Sequence, residues 1–164
     1  MTRRRMSILV LACVAAVGSA AAAYFMAAAY FMKGERPGPS LQPDDPFIVA
    51  RGKDVYGAAC ASCHGANLEG QPNWRERGPD GLLPAPPHDD TGHTWHHPDA
   101  VLFEITKFGV QKFAGAGYKS AMPAFDQRLS DADIAAALSF IESTWSPQVR
   151  QRHDAINRAA AAQQ

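Results

Sequence analysis

Two cysteines and a histidine in the first half of the chain have a spacing that indicates specific chemistry. Cys60 and Cys63 are separated by two residues, and His64 follows directly, in the run Cys-Ala-Ser-Cys-His. Two thiols three positions apart on one helical turn can each bond to a vinyl group of a haem, and the next residue then presents an imidazole to the iron. The motif therefore predicts covalent haem attachment with His64 as one axial iron ligand.

Other chemistries for this cysteine pair fit its surroundings less well. A thioredoxin-like redox pair would need a strand leading into a helix, which the sequence around Cys60 does not suggest. A zinc site would need further cysteines, or histidines at matching spacing. The third cysteine, Cys13, stands alone in an apolar segment, so the chain has too few cysteines for a disulfide framework.

Met122 is the candidate ligand for the opposite face of the haem. The chain has five methionines, and the other four lie in its N-terminal segment. Met122 stands in Ser-Ala-Met-Pro-Ala-Phe, ahead of a predicted helix, and Pro123 biases the preceding backbone to an extended conformation. A thioether opposite an imidazole raises the reduction potential relative to two imidazoles. The alternatives are that Met122 fills the core or that a histidine takes its place on the iron.

A cluster of histidines offers a second set of potential ligands. Its members are His88, His93, His96 and His97, with Asp89 and Asp90 beside them. One interpretation is a second metal site for copper or zinc. Another is a set of contacts to the haem propionates or within the loop, with Trp74, Arg75 and Trp95 as further donors. A third is that His97 caps the second helix while the other histidines face solvent.

The N-terminal segment, residues 1–33, is predicted to be a membrane anchor or a signal segment. Three arginines precede a run without charge from Met6 to Met32, which as a helix would exceed the ~30 Å of a bilayer core. The positive-inside bias predicts a single pass through a bacterial inner membrane, with a cytoplasmic N-terminus and the remaining chain in the periplasm. A cleaved signal peptide and a lipoprotein acylated at Cys13 are the alternatives.

The rest of the chain predicts an all-α domain between a linker and a tail. Residues 34–45 are rich in proline and are expected to be a linker, and residues 46–146 to form the domain. Residues 147–164 are expected to be a polar C-terminal tail, either a frayed helix or disordered. Helices separated by long loops leave a domain of roughly one hundred residues with a thin apolar core, which a large apolar cofactor would complete.

Helix signals mark three elements of this domain. Asp45 and Pro46 predict the start of the first helix as cap and first helical residue. The second helix is expected from Pro98, and Gly109 suits its C-terminal end. Ser130 is the predicted cap of the last helix, whose apolar residues recur at helical spacing.

The attachment motif, followed by Met122-Pro123 and a capped last helix, resembles the class I c-type cytochromes over roughly Pro46 to Trp145. The resemblance implies the cytochrome c fold, with about three core helices and long loops around one covalently bound haem c. It further implies that the haem is bound by Cys60, Cys63, His64 and Met122, and its iron by His64 and Met122.

The same resemblance implies two contacts inside the domain. The first and last helices are expected to cross, with Gly52 and Tyr56 facing the region of Phe140. A proline carbonyl is expected to accept the second N–H of His64 and to fix the orientation of its ring. Pro86 or Pro87 is the candidate for this carbonyl, and Pro72 is the alternative.

The function implied is one-electron transfer in a respiratory or periplasmic chain, without catalysis or a small-molecule substrate, because both axial positions are filled. Expected partners are membrane respiratory complexes or a periplasmic dehydrogenase. Nucleic acid is excluded, since residues from Leu41 onward carry 11 Lys/Arg against 15 Asp/Glu (11 − 15 = −4) without a basic patch. Alternatives are a haem enzyme or sensor with a displaceable Met122, a subunit of a larger oxidase or dehydrogenase complex, and metal delivery through the histidine cluster.

Overall fold

The computed structural model describes residues 40–115 and 117–163, and over these ranges it contains helices, turns and loops but no strand. The helices are α1 (Pro46–Ala59), α2 (Ala61–His64), α3 (Asp99–Phe108), α4 (Gln111–Ala114), α5 (Asp131–Ser143) and α6 (Pro147–Ala161), with a 3₁₀ turn at Thr94–His96. The all-α prediction is confirmed for this part of the chain. Helices α1, α3 and α5 are the three core helices that the sequence indicates.

The predicted localisation, a single pass through a bacterial inner membrane with the domain in the periplasm, is contradicted. No helix within residues 40–115 and 117–163 is both long enough and apolar enough to cross a bilayer. The longest of them, α6, has 15 residues and a largely polar sequence, whereas a membrane span needs about 20 apolar residues. Residues 1–33, to which the anchor or signal segment was assigned, lie outside the described residues.

Helices α1 and α5 cross in close contact at Gly52. A Cβ atom at Gly52 would overlap the carbonyl oxygen of Ala136 and lie 2.9 Å from Cβ of Phe140. One turn later, the buried ring of Tyr56 packs against the ring of Phe140, with 5.5 Å between the ring centroids. The expected crossing of the first and last core helices is therefore confirmed, and the missing side chain of Gly52 is what allows it.

The helix starts follow the capping signals in the sequence. Oδ1 of Asp45 accepts hydrogen bonds from the backbone N–H groups of Phe47 (2.8 Å) and Ile48 (3.2 Å) at the start of α1. Oγ of Ser130 accepts from the backbone N–H of Asp133 (3.1 Å) at the start of α5. Helix α3 begins one residue later than expected, because Pro98 is its cap and has an extended backbone.

The C-terminal residues 147–161 form a helix that packs on the domain. Ser146 caps α6, and Pro147 occupies its first turn. Val149 and His153, one turn apart, are both buried, and the Arg150 guanidinium donates two hydrogen bonds of 2.9 Å to the Asp44 carboxylate. The polar composition of this segment does not reveal the packing of Val149 and His153, because only one residue per turn faces the core.

Most of the buried side chains form one apolar cluster between the helices and the loops. Its members are Leu41, Tyr56, Leu68, Leu102, Phe103, Phe125, Ile134, Ala135, Leu138, Ile141, Trp145 and Val149. Cys60 and Met122 are half-buried and pack against this cluster. Two of the four predicted haem-binding residues therefore border the same apolar surface.

Candidate functional site

The attachment motif lies at the junction of α1 and α2. Cys60 caps the C-terminus of α1, and its backbone N–H donates to the carbonyl of Tyr56 (2.9 Å). Cys63 and His64 fall in the single turn of α2, with Cys63 exposed and His64 buried. The two sulfurs and the imidazole are therefore presented within about one helical turn, as the spacing predicts.

The environment of Cys60 favours an uncharged sulfur. Burial, and secondly the neighbouring Cys63, raise the pKa of the Cys60 thiol to about 11. A thiolate is therefore disfavoured here, which argues against a redox-active thiol pair, because the thiolate is the nucleophile in that chemistry. A thioether carries no charge, so a sulfur bonded to a haem vinyl carbon suits this position.

The ring of His64 is held in one orientation and one tautomer. Its Nδ1 donates a hydrogen bond of 2.9 Å to the backbone carbonyl of Pro86. Burial lowers the pKa of His64, although the Pro86 bond opposes this shift, so the imidazole is neutral at pH 7. Since a carbonyl only accepts, the proton lies on Nδ1, and the lone pair of Nε2 is available for a metal. Of the three prolines considered, Pro86 is the one that holds the ring.

The loop that carries Pro86 is tied to the chain directly after the motif. The backbone N–H of Gly70 donates to the carbonyl of His64 (2.7 Å), and that of His88 donates to the carbonyl of Leu68 (2.8 Å). A Cβ atom at Gly70, whose φ is +67°, would lie 2.7 Å from the carbonyl carbon of Pro86. A glycine is therefore required where the two segments meet, and the Pro86 carbonyl reaches His64 as a result.

His88 forms the second fixed contact of His64. The two imidazole rings are stacked, with 4.0 Å between their centroids and 19° between their planes. Nδ1 of His88 lies 2.6 Å from Oγ1 of Thr94. The backbone carbonyl of His88 accepts a 2.8 Å hydrogen bond from Nε1 of Trp145. Burial, and secondly His64, lower the pKa of His88 well below its usual value. A neutral, anchored ring therefore lies against His64, the predicted iron ligand.

Met122 lies in a loop that is attached to α3. Its backbone N–H donates to Oγ of Ser120 (3.1 Å), and the backbone N–H of the buried Phe125 donates to the carbonyl of Lys107 (3.1 Å). The side chain of Met122 is half-buried against the apolar cluster, and Pro123 follows it. Its coordination to iron stays a prediction.

The histidine cluster divides into residues with different surroundings. His88 lies against His64, whereas His93 and His96 are exposed and His97 is half-buried. Nε2 of His93 lies 3.1 Å from Nε2 of His97, and the ring of His96 stacks on Trp95 at 3.7 Å. Contacts to haem propionates and a second metal at these residues stay predictions.

Contacts that order the loop are present beside these histidines. Oδ1 of Asp89 accepts hydrogen bonds from the backbone and side chain of Thr91, at 2.8 and 2.6 Å. The Asp90 carboxylate accepts from the backbone N–H of Ser146 (3.0 Å), and the Asp90 carbonyl accepts from Nε1 of Trp95 (3.2 Å). The two aspartates therefore hold this loop to its own backbone and to the start of α6.

A second cluster of titratable residues was missed by the sequence reasoning. Asp99, Glu142 and His153 come together where α3, α5 and α6 meet. The sequence does hold a signal, because Glu142 lies four residues after Leu138 and His153 lies four residues after Val149, both on apolar helix faces. Only the folded structure shows that these two faces meet.

The site residues fit a covalently attached haem. The half-buried sulfur of Cys60, a second sulfur one turn away and a neutral imidazole with an available Nε2 are the groups that such a haem requires. Cys60, Cys63 and His64 do not form a cluster of metal ligands, because within the described residues such a group is found only at Asp99, Glu142 and His153.

Comparisons with known proteins also indicate a haem-binding domain. A family model described as cytochrome c matches residues 49–145, more than half of the chain. A stretch of 101 residues is 31% identical to the cbb3-type cytochrome c oxidase subunit FixP of Rhizobium meliloti and covers 62% of this chain and 29% of FixP. No solved structure matches the chain.

Shorter matches come from two corynebacteria. Over 40 residues the chain is 48% identical to the cytochrome c subunit of the cytochrome bc1 complex of Corynebacterium efficiens and 47% identical to that of Corynebacterium diphtheriae. These matches cover 24% of this chain and 12% and 13% of the two relatives. The chain thus matches less than a third of the length of each of these relatives.

Proposed function

Because the chain belongs to the cytochrome c family and therefore carries covalently bound haem c, we propose that it is a one-electron carrier of a respiratory electron-transfer chain. The observation that carries this proposal is the neutral His64 imidazole, held by the Pro86 carbonyl directly after the two cysteines. The haem supplies the one-electron couple when bound.

The proposed ligand set follows from the chemistry of four residues. Cys60 and Cys63 attach the haem through thioethers, Nε2 of His64 binds the iron on one face, and the Met122 thioether binds it on the other. The Pro86 hydrogen bond and the stacked His88 ring support the His64 assignment. For Met122, the support is its half-buried position against the apolar cluster and the rigid Pro123 that follows it.

His64 is suited to a carrier because its protonation is constrained. Its Nδ1 proton is held by a backbone carbonyl, and burial disfavours a second proton on the ring. His64 would therefore keep one tautomer in both oxidation states of a bound haem. With His64 and Met122 both bound to the iron, the haem would offer no open position to a substrate, and we propose that the protein acts without catalysis.

The proposed partners are respiratory complexes. The similar proteins are named as subunits of a cytochrome bc1 complex and of a cbb3-type oxidase. A protein that passes electrons between such complexes needs small interfaces that form and separate quickly, of less than about 1,200 Å². The proposal covers both a mobile carrier and a subunit of a larger assembly, since either transfers electrons through the same site.

The test is to express the chain with haem-attachment machinery and to compare it with the Cys60→Ser, Cys63→Ser double variant. We expect the pigment to remain on the wild-type polypeptide during acid–acetone extraction, and the double variant to lose it. A reversible redox transition of the purified protein is then expected to involve one electron. Extraction of the pigment from the wild-type chain, or a colourless wild-type chain, would overturn the proposal.

A further inference from the structure

The cluster of Asp99, Glu142 and His153 has the composition and geometry of a metal site. One ligand atom from each residue lies within 4.8 Å of the ligand atoms of the other two. Asp99 begins α3, Glu142 lies in the last turn of α5, and His153 lies in the middle of α6. Glu142 is 5% exposed and His153 is fully buried, whereas Asp99 is half-buried, so the three donors meet at the edge of the interior.

The hydrogen bonds of His153 match those of a metal-binding histidine. Its Nδ1 lies 3.1 Å from the carbonyl oxygen of Trp95, and its Nε2 lies 2.7 Å from Oδ1 of Asp99. Metal-binding histidines usually donate one ring N–H to a backbone carbonyl, which orients the other nitrogen toward the ion. Nε2 and the Asp99 carboxylate are therefore placed so that one cation can bind both.

Glu142 lacks the partner that a buried carboxylate normally has. No residue within 40–115 and 117–163 donates a hydrogen bond to its side chain, although one of its oxygens lies within 4.8 Å of the ligand atoms of Asp99 and His153. A carboxylate that is 5% exposed has lost most of its hydration. A dication between the carboxylates of Glu142 and Asp99 would compensate for that loss.

The cluster reaches solvent at Asp99. The side chain of Asp99 is 33% exposed, whereas Glu142 and His153 are buried. An ion can therefore approach the three ligands from the side of Asp99.

We propose that Asp99, Glu142 and His153 bind a divalent transition-metal ion, for which Zn²⁺ is the best match. Zn²⁺ accepts one imidazole nitrogen and two carboxylate oxygens and takes water as a fourth ligand. Mg²⁺ and Ca²⁺ are hard cations that prefer oxygen ligands, so the imidazole nitrogen of His153 favours a transition metal over both. With neutral His153 the two carboxylates balance the charge of the dication, and the ion joins α3, α5 and α6.

The experiment uses the holoprotein, in which both cysteines are bonded to the haem and offer no free thiol to zinc. After dialysis against a chelator, Zn²⁺ is added, bound zinc per haem is measured, and thermal unfolding is followed by far-UV circular dichroism. We expect one zinc ion per chain, a melting temperature raised by several degrees, and a zinc absorption edge that indicates nitrogen and oxygen ligands. Failure of haem attachment would contradict the proposed function, whereas zinc binding by Asp99, Glu142 and His153 is measured separately.

Two substitutions remove ligands with little change in shape. Glu142→Gln and Asp99→Asn are each expected to weaken zinc binding at least about tenfold and to abolish the rise in melting temperature. The matched control is His93→Ala with His97→Ala, because their Nε2 atoms, 3.1 Å apart, are the competing surface site. The control variant is expected to bind zinc as the wild type does.

Three outcomes would overturn the proposal. The first is that the wild-type holoprotein fails to bind about one zinc ion per haem. The second is that both Glu142→Gln and Asp99→Asn bind zinc with unchanged affinity and melting shift. The third is that binding disappears in the His93 and His97 double variant, which would place the ion on the surface. In the first case, the cluster is a buried ion pair between His153 and Asp99 with a protonated Glu142.

Discussion

At the scale of single residues, His64 gains its ligand chemistry from its neighbours. The Pro86 carbonyl fixes the proton on Nδ1, and the stacked His88 ring limits rotation of the imidazole. Because the pKa of His88 is lowered and its ring is neutral, it depends on Thr94, whose Oγ1 lies 2.6 Å from Nδ1 of His88. The orientation of His64 therefore depends on the Pro86 carbonyl, the His88 ring and Thr94.

Thr94→Val removes the partner of His88 while keeping the shape of the side chain. A buried ring nitrogen without a partner costs about 1–3 kcal/mol, so we expect the free energy of unfolding of the holoprotein to fall by that amount in urea denaturation. The control is Thr91→Val, because Thr91 is exposed and bonds only to the neighbouring Asp89; it is expected to change stability by less than about 0.5 kcal/mol. Equal losses in the two variants would contradict the role given to Thr94.

Met122→Ala tests the second axial ligand. A thioether on the iron blocks small molecules, so the reduced wild-type protein is expected to bind carbon monoxide slowly and incompletely at neutral pH. Removal of the sulfur opens the position, and the variant is expected to bind one equivalent promptly, as measured by absorption spectroscopy. Prompt stoichiometric binding by the wild type would instead favour a sensor or an enzyme with a displaceable methionine.

The site residues that the sequence predicts are those whose partners lie close to them in the chain. The spacing of Cys60, Cys63 and His64 is visible directly, because one turn of helix contains all three. The choice of Pro86 over Pro72 and Pro87 required the fold, since the bond from His64 joins residues 22 positions apart. The contact between Asp99 and His153 joins residues 54 positions apart, and no local pattern reveals it.

At the scale of helices, the crossing of α1 and α5 depends on one missing side chain. The sequence indicates a packing constraint there, because a glycine inside a helix lowers helix stability by about 1 kcal/mol relative to alanine. The structure shows that constraint at Gly52, where the backbone of Ala136 fills the space of a Cβ atom. For residues 147–164 the sequence predicts either a frayed helix or disorder, and it does not show that α6 packs on the domain, because only Val149 and His153 of this polar segment are buried.

Gly52→Ala is expected to separate α1 from α5 and to destabilise the domain. The new methyl group meets backbone atoms that cannot rotate away, so we expect a loss of about 1–3 kcal/mol in the free energy of unfolding and a lower yield of holoprotein. The matched control is Gly57→Ala in the same helix, where no atom lies within 4 Å of the added Cβ. That variant is expected to gain up to about 1 kcal/mol from helix propensity. A neutral result at Gly52 would mean that the helices do not pack as described.

At the scale of the whole molecule, the cofactor completes the core. The described residues place long loops, including the segment from Asn67 to His93, against an apolar cluster that Cys60 and Met122 border. A domain of this size with few helices buries too little apolar surface to be very stable alone. The haem is therefore expected to act as part of the fold as well as the redox centre.

The Cys60→Ser, Cys63→Ser double variant tests this dependence. Without covalent attachment, we expect the chain to show reduced helical circular dichroism and to unfold at a lower urea concentration and over a broader range. The control is Cys60→Ser alone, which retains one thioether and is expected to fall between the two. If the haem-free double variant unfolded with the midpoint and slope of the holoprotein, the haem would contribute nothing to the core.

The proposed redox centre is a covalently bound haem with His64 and Met122 on its iron, working as a one-electron couple. An optical redox titration of the purified holoprotein, run beside Met122→Ala, tests both ligands and the couple together. We expect a single reversible one-electron transition and, in the oxidised wild type, a far-red iron–sulfur absorption band that Met122→Ala lacks. A wild-type spectrum without that band, or with a band that persists in Met122→Ala, would contradict it.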